Sequence, residues 1–138
     1  MIRVIRILPD NTGVLDRIAD EVFDDRIDPD RLSDMLATPD HLLLVAVDGD
    51  LVVGQCLAMV LKGPDRAPSL YIDNLGVAPT HRRQKIGTEL LRHAFAYGKA
   101  QGCGSAWLGI DPDSDSAAPF YQALGLEFRR INYAQMEL

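Results

Sequence analysis

The chain has 138 residues, 47% of them apolar and 25% charged, with a net charge of −6. That length and balance predict one domain over residues 1–138 with a single buried core. They disfavour general DNA or RNA binding, because an acidic chain cannot neutralise many phosphates. No apolar run is long enough to span a bilayer, and the polar start Met1-Ile2-Arg3-Val4-Ile5-Arg6 lacks a signal peptide's apolar stretch. A cytoplasmic protein with neither a membrane nor a nucleic-acid partner is therefore expected. Cys56 and Cys103 sit in apolar surroundings and read as reduced core residues, not as a disulfide framework.

In chain order, residues 2–8 alternate apolar and basic side chains, the pattern of a strand. Val14, Leu15, Ile18, Ala19, Val22 and Phe23 recur at helical spacing and predict a first helix over 14–23. Asp28-Pro29 supplies a cap and first-turn proline for a second short helix, with Leu32, Met35 and Leu36 inward and Pro39 ending it. Residues 41–47 and 51–61 read as apolar strands around the hairpin signal Asp48-Gly49. A Pro/Gly loop over 62–69 leads to another strand, 70–77. Ile86, Leu90, Leu91, Ala94, Phe95 and Gly98 form the stripe of a helix that stops near Gly102. Residues 105–110 form a strand, and an acidic turn follows it. Pro119 confines the next helix to about 117–124, with Gly125 placed to end it. Two closing strands are expected over 126–131 and 133–138. Trp107 and Cys103 are assigned to the core.

The order β-α-α-β-β-β-α-β-α-β-β is that of a mixed α/β domain, and its most informative part is residues 77–91. There a strand end, a basic turn and a helix start follow one another. Helix-start N–H groups are unpaired and lie at the positive end of the macrodipole, so they attract phosphate. Arg82, Arg83 and Lys85 add positive charge, and Gly87 lets the backbone approach an anion. Val77, Pro79, Arg82, Gly87, Leu90 and Leu91 match V-x-P-x-x-R-x-x-G-x-G-x-x-L-L. That pattern resembles the pyrophosphate-binding motif of the GNAT acetyltransferases, and the predicted element order is similar to their acyl-CoA N-acyltransferase fold. Lys85 stands where the family's first glycine is usual; its amide and ammonium remain available to a phosphate. The resemblance implies acetyl-CoA as co-substrate, held by Arg82, Arg83, Gln84, Lys85, Ile86, Gly87 and Thr88. It also implies that the strand end Leu75-Gly76-Val77 pairs with the pantetheine arm and helps form the oxyanion site.

Acetyl transfer from a thioester to an amine needs a deprotonated amine, donors to the oxyanion and a proton for the leaving thiolate. No metal is required or expected, since His41, His81 and His93 show no ligand spacing with Cys or acid. The segment Ala117-Ala118-Pro119-Phe120-Tyr121-Gln122-Ala123-Leu124-Gly125 resembles the family's A-x-x-F-Y-x-x-L-G segment. This implies that Tyr121 is the general acid, with Ala117 and Phe120 at the cofactor. Ser114 falls where many members have a CoA-contacting asparagine. Asp73, an acid in an apolar strand, is the candidate base on a face shared with Leu75 and Val77; the alternative is a solvent-facing residue. Asn74 would face the opposite side of a regular strand.

Residues 10–40 hold ten acids against three arginines. Most of these acids read as solvated helix faces, yet their field also favours a cationic partner. The stretch from Tyr71 to Val77 with His81-Arg82-Arg83-Gln84 is similar to the aminoglycoside 3-N-acetyltransferases, which implies a small amine acceptor of aminoglycoside or polyamine type. A protein N-terminal or lysine acetyltransferase and a non-catalytic CoA-binding module are the alternatives. Apolar closing strands would allow a homodimer.

Overall fold

The computed structural model describes residues 1–111 and 117–138. Its strands are β1 (Ile2–Arg6), β2 (His41–Asp48), β3 (Leu51–Leu61), β4 (Ser69–Val77) and β5 (Ser105–Leu108). They form one sheet in sequence order, antiparallel from β1 to β4, with β5 parallel to β4. The helices are α1 (Pro29–Ala37), α2 (Ile86–Ala100) and α3 (Ala117–Ala123). The parallel β4–β5 pair requires a crossover, and α2 is that crossover.

Local chemistry explains most of these boundaries. The Asp28 carboxylate accepts from the N–H groups of Asp30 (2.9 Å) and Arg31 (3.0 Å), and Pro29 opens the helix behind this cap. Gly49, at φ 64°, takes the left-handed position of the two-residue β2–β3 hairpin. Helices α2 and α3 both end in a Schellman arrangement on a left-handed glycine. Cys103 N–H donates to the Gly98 carbonyl beside Gly102, and Leu126 N–H donates to the Tyr121 carbonyl beside Gly125.

The core lies between the sheet and α2. Leu42 to Val47 are buried without interruption, as in a strand covered on both faces, and Ile86, Leu90, Leu91 and Ala94 bring the helix stripe onto it. Each large aliphatic side chain buried there contributes roughly 1.5–3 kcal/mol. The approach is close because Gly54 carries no side chain: a Cβ there would meet Ile86 Cγ2 at 2.9 Å. Cys56, in the centre of β3, is fully buried, and burial pushes its thiol up to about 12. Cys103 is half-buried, and burial raises its thiol too. With a thiol reagent at about pH 8, Cys103 should therefore react slowly in the native protein and Cys56 only after denaturant is added; equal native rates would contradict this packing.

Three expectations are corrected. Residues 14–23 are not a helix: a short 3₁₀ turn, Thr12–Asp16, gives way to extended backbone in which Ile18 bridges Val52 of β3. Val52 N–H donates to the Arg17 carbonyl (2.9 Å) and Ala19 N–H to the Val52 carbonyl (2.8 Å), so the sheet takes these backbone groups from the helix. The apolar residues picked out by the helical spacing still pack against the core. Residues 126–138 form no strand; they pair with no sheet edge among the described residues, and Ile131, Tyr133 and Met136 are exposed. Trp107 is 44% exposed instead of buried, because β5 is an edge strand. Its ring tilts against Tyr71 at a centroid distance of 4.4 Å, and its indole N–H donates to Ser69 Oγ at 3.3 Å.

Candidate active site

Beyond residue 72, β4 stands free of β5, whose pairing covers only Ser69 to Ile72. Pairing with β3 continues to Val77. The last residues of β4 therefore turn one backbone edge toward a cleft of about 590 Å³. Leu75, Gly76 and Val77 line it, together with the start of α2, the turn before it, Phe120 and Tyr121 of α3, and the loop carrying Glu21, Val22 and Asp24.

Part of the cleft lining is cationic. The 3₁₀ turn Pro79–His81 leads into Arg82, Arg83 and Lys85, all three exposed at the start of α2. The first intrahelical bond runs from Glu89 N–H to the Lys85 carbonyl (3.0 Å). Among the described residues, no side chain caps the amides before it. Open amides, the helix dipole and three cations thus converge where an anion would sit. Arg83 (φ 66°) and Lys85 (φ 62°) both adopt the left-handed conformation, which costs a residue with a Cβ about 1–2 kcal/mol. Lys85 thus takes the backbone shape that glycine adopts freely, while keeping its charge. Gly87 leaves room beside Phe120: a Cβ there would lie 3.4 Å from the ring.

The turn is pinned from behind. His81 Nε2–H donates to Asp48 Oδ2 at 2.9 Å, which leaves Nδ1 to accept from the Thr80 hydroxyl at 2.8 Å. The β2–β3 hairpin thus steadies the basic segment. The residue types around His81 give no signal of this contact.

The loop before α1 adds acidic residues to the lining. Glu21 and Asp24 line the cleft, and Asn74 Nδ2 donates to Asp24 Oδ2 at 3.4 Å. Asn74 was expected to face away. A bulge explains the reversal: Leu57 pairs with Asn74 and Ala58 with Ile72, so Asp73 is the extra residue and the alternation shifts there. Asp73 is exposed, next to Tyr71, and is not among the residues lining the cleft. Nothing in the residue types marks the bulge.

Tyr121 lines the same cleft, half-buried and edge-on to Phe120 at 5.0 Å and 67°. Burial raises the pKa of its phenol, with the buried Cys56 thiol adding to the shift. The structure thus brings together Leu75, Gly76, Val77, Arg82, Arg83, Lys85, Ile86, Gly87, Thr88, Phe120 and Tyr121. Gln84 is exposed outside the lining, Ala117 opens α3, and Ser114 lies outside the described residues.

Residues 8–126 match the model of the Acetyltransferase (GNAT) family, and the chain belongs to that family. Over 65 residues it is 36% identical to streptothricin acetyltransferase of Streptomyces lavendulae, covering 47% of this chain and 34% of that protein. Over 95 residues it is 30% identical to the probable N-acetyltransferase family 8 member 5 of Mus musculus, covering 68% of this chain and 41% of that protein. The chain thus spans less than half the length of these two relatives. Aminoglycoside acetyltransferase AAC(6')-Iy, solved with the bisubstrate analogue CoA-S-monomethyl-acetylneamine, superposes with a TM-score of 0.81 over 100% of this chain and 99% of its own. At 16% identity that likeness is one of fold, and it agrees with the mixed α/β class expected from the sequence.

Proposed function

We propose that this chain transfers an acetyl group from acetyl-CoA to a primary amine of a small cationic acceptor, both substrates being bound at once. The observation that carries this reading is the polarity of a single cleft. An uncapped helix start with three cations, two carboxylates, a strand edge unpaired by β5 and a phenol all line it.

The family's co-substrate fits the residues present. Open α2 amides, Arg82, Arg83 and Lys85 suit a pyrophosphate. When bound, acetyl-CoA would supply an activated acyl carbonyl and a thiolate leaving group. The free edge of β4 offers backbone donors to a pantetheine chain and to a developing oxyanion. Glu21 and Asp24 hold the ammonium form of the acceptor, whose proton leaves to water before its nitrogen attacks. As the carbon–sulfur bond breaks, the Tyr121 hydroxyl gives its proton to the sulfur, and the proton that the new amide nitrogen sheds, carried by water, restores the phenol. The bisubstrate complex of the AAC(6')-Iy neighbour supports binding of CoA and amine side by side in this fold. The acetyltransferase names of the two relatives support the reaction.

A thiol-release assay with acetyl-CoA and a panel of neamine, spermidine, amino acids and short peptides tests the reading. Release with the cationic amines supports it. Release with peptides alone would move the acceptor to a protein, and absence of acetyl-CoA binding would overturn the reading as a whole. Because Asp73 lies outside the cleft lining, Asp73→Asn should leave kcat/KM within about threefold of the wild type. A drop of about a hundredfold, the scale of a lost general base, would restore the carboxylate on β4 to that role.

A further inference from the structure

We infer that Gln55 is a positioning residue for the amine end of the cleft, acting through the main-chain carbonyl of Val22; this rests on the amine-acetyltransferase reading above. Gln55 lies in the middle of β3, opposite Gly76 of β4, and is 1% exposed, the one buried polar side chain among the described residues. Its Nε2 donates to the Val22 carbonyl at 3.3 Å, while its Oε1 is buried without a partner among the described residues. A buried amide with an unused acceptor burdens the core, so stability alone does not account for a glutamine at this position.

Its single bond reaches the loop that forms the anionic wall. The Val22 carbonyl lies over Gly76, only 2.2 Å from the point a Cβ would occupy, and the Val22 side chain is itself 2% exposed. Val22 is thus held by the core on one side and by Gln55 on the other. Its neighbour Glu21 takes a left-handed φ of 64°, a conformation that needs a fixed surrounding, and Asp24 is tied to Asn74. Releasing the Val22 carbonyl loosens the backbone that carries Glu21 and leads to Asp24, which then rests on its contact with Asn74 alone. None of the freed residues belongs to the cationic turn, and Gly76 keeps its backbone pairing with β3, so the effect falls on the amine and spares the acyl donor.

The test compares Gln55→Met with the wild type, because methionine keeps the volume and removes the donor. The melting temperature should be unchanged or raised. The acetyl-CoA Kd by calorimetry should stay within about twofold, since no contact to the cationic turn changes. Amide exchange over residues 20–25 should quicken by roughly three- to tenfold, the worth of one hydrogen bond. KM for neamine and spermidine should rise by about tenfold with little change in kcat, the signature of lost binding shared by ground and transition states. A lowered melting temperature with unchanged exchange at 20–25 would make Gln55 an ordinary core residue and overturn the inference. Unchanged KM for both amines would overturn it as well. If the wild type acetylates neither amine while exchange still quickens in the variant, the acceptor reading fails and the role of Gln55 in holding the loop stands.

Discussion

Tyr121→Phe should bind acetyl-CoA as the wild type does and lose about 10²- to 10³-fold in kcat, the range expected for removal of a general acid. The ring stays, so the edge contact with Phe120 and the packing against the core stay with it. The melting temperature should therefore hardly move. What is lost is one proton in the cleft lining. The pH profile sharpens the test. Burial raises the Tyr121 pKa above its ordinary value of about 10, so below that pH the hydroxyl is protonated and competent. The group's contribution to stability is likewise complete below about pH 10 and is lost as the pH climbs through the raised value. In the wild type the rate should thus rise with pH as the amine loses its proton, and fall only beyond about pH 10. In the variant the alkaline fall should be absent. Turnover within a few-fold of wild type would remove Tyr121 from the chemistry.

The parts of this site that were legible in the sequence are those written in local chemistry. An Asp-Pro cap, a hairpin glycine and two left-handed helix-ending glycines each act within a few residues, and each appears where the residue types place it. The anion turn is legible for the same reason: strand end, basic run and amphipathic helix follow one another directly. Residues whose place depends on distant partners are not. The 14–23 segment has a helix's apolar spacing, but the free N–H and C=O of Val52, more than thirty positions away, draw it into extended pairing. The bulge at Asp73 is set by the pairing of β3 with β4, and it changes which of Asp73 and Asn74 lines the cleft. Residues 126–138 alternate as a strand does, yet alternation selects a face only where a sheet edge is present to receive it. Gln55 did leave a trace, a lone amide in the apolar run of residues 51–61. Only the structure shows that its partner is the carbonyl of Val22.

Gly76→Ala concentrates these contacts in one methyl group. The added Cβ would lie 2.2 Å from the Val22 oxygen, 3.2 Å from its carbonyl carbon and 3.3 Å from Gln55 Nε2. The first distance is far inside van der Waals contact, and the obstacle is main chain, which cannot rotate away as a side-chain tip can. Either β4 or the 20–25 loop must move. Overpacking of this kind costs typically about 1–3 kcal/mol, and here the strain falls on the wall of the cleft. Gly109→Ala is the matched control, since a Cβ there meets nothing within 4 Å among the described residues; it should stay within about 0.5 kcal/mol of wild type. The expected result for Gly76→Ala is a clear fall in stability by urea denaturation together with loss of acetyl transfer. Gln55→Met, by contrast, should keep stability and lose only amine affinity. The contrast separates two ways of disturbing the same contact. Removing the bond lets the Val22 carbonyl drift, whereas adding a methyl group drives it out and disturbs the strand edge proposed to hold the acyl donor. If Gly76→Ala kept wild-type stability and turnover, the Val22 carbonyl could not lie over β4, and the anionic wall of the cleft would have to be sought elsewhere in the chain.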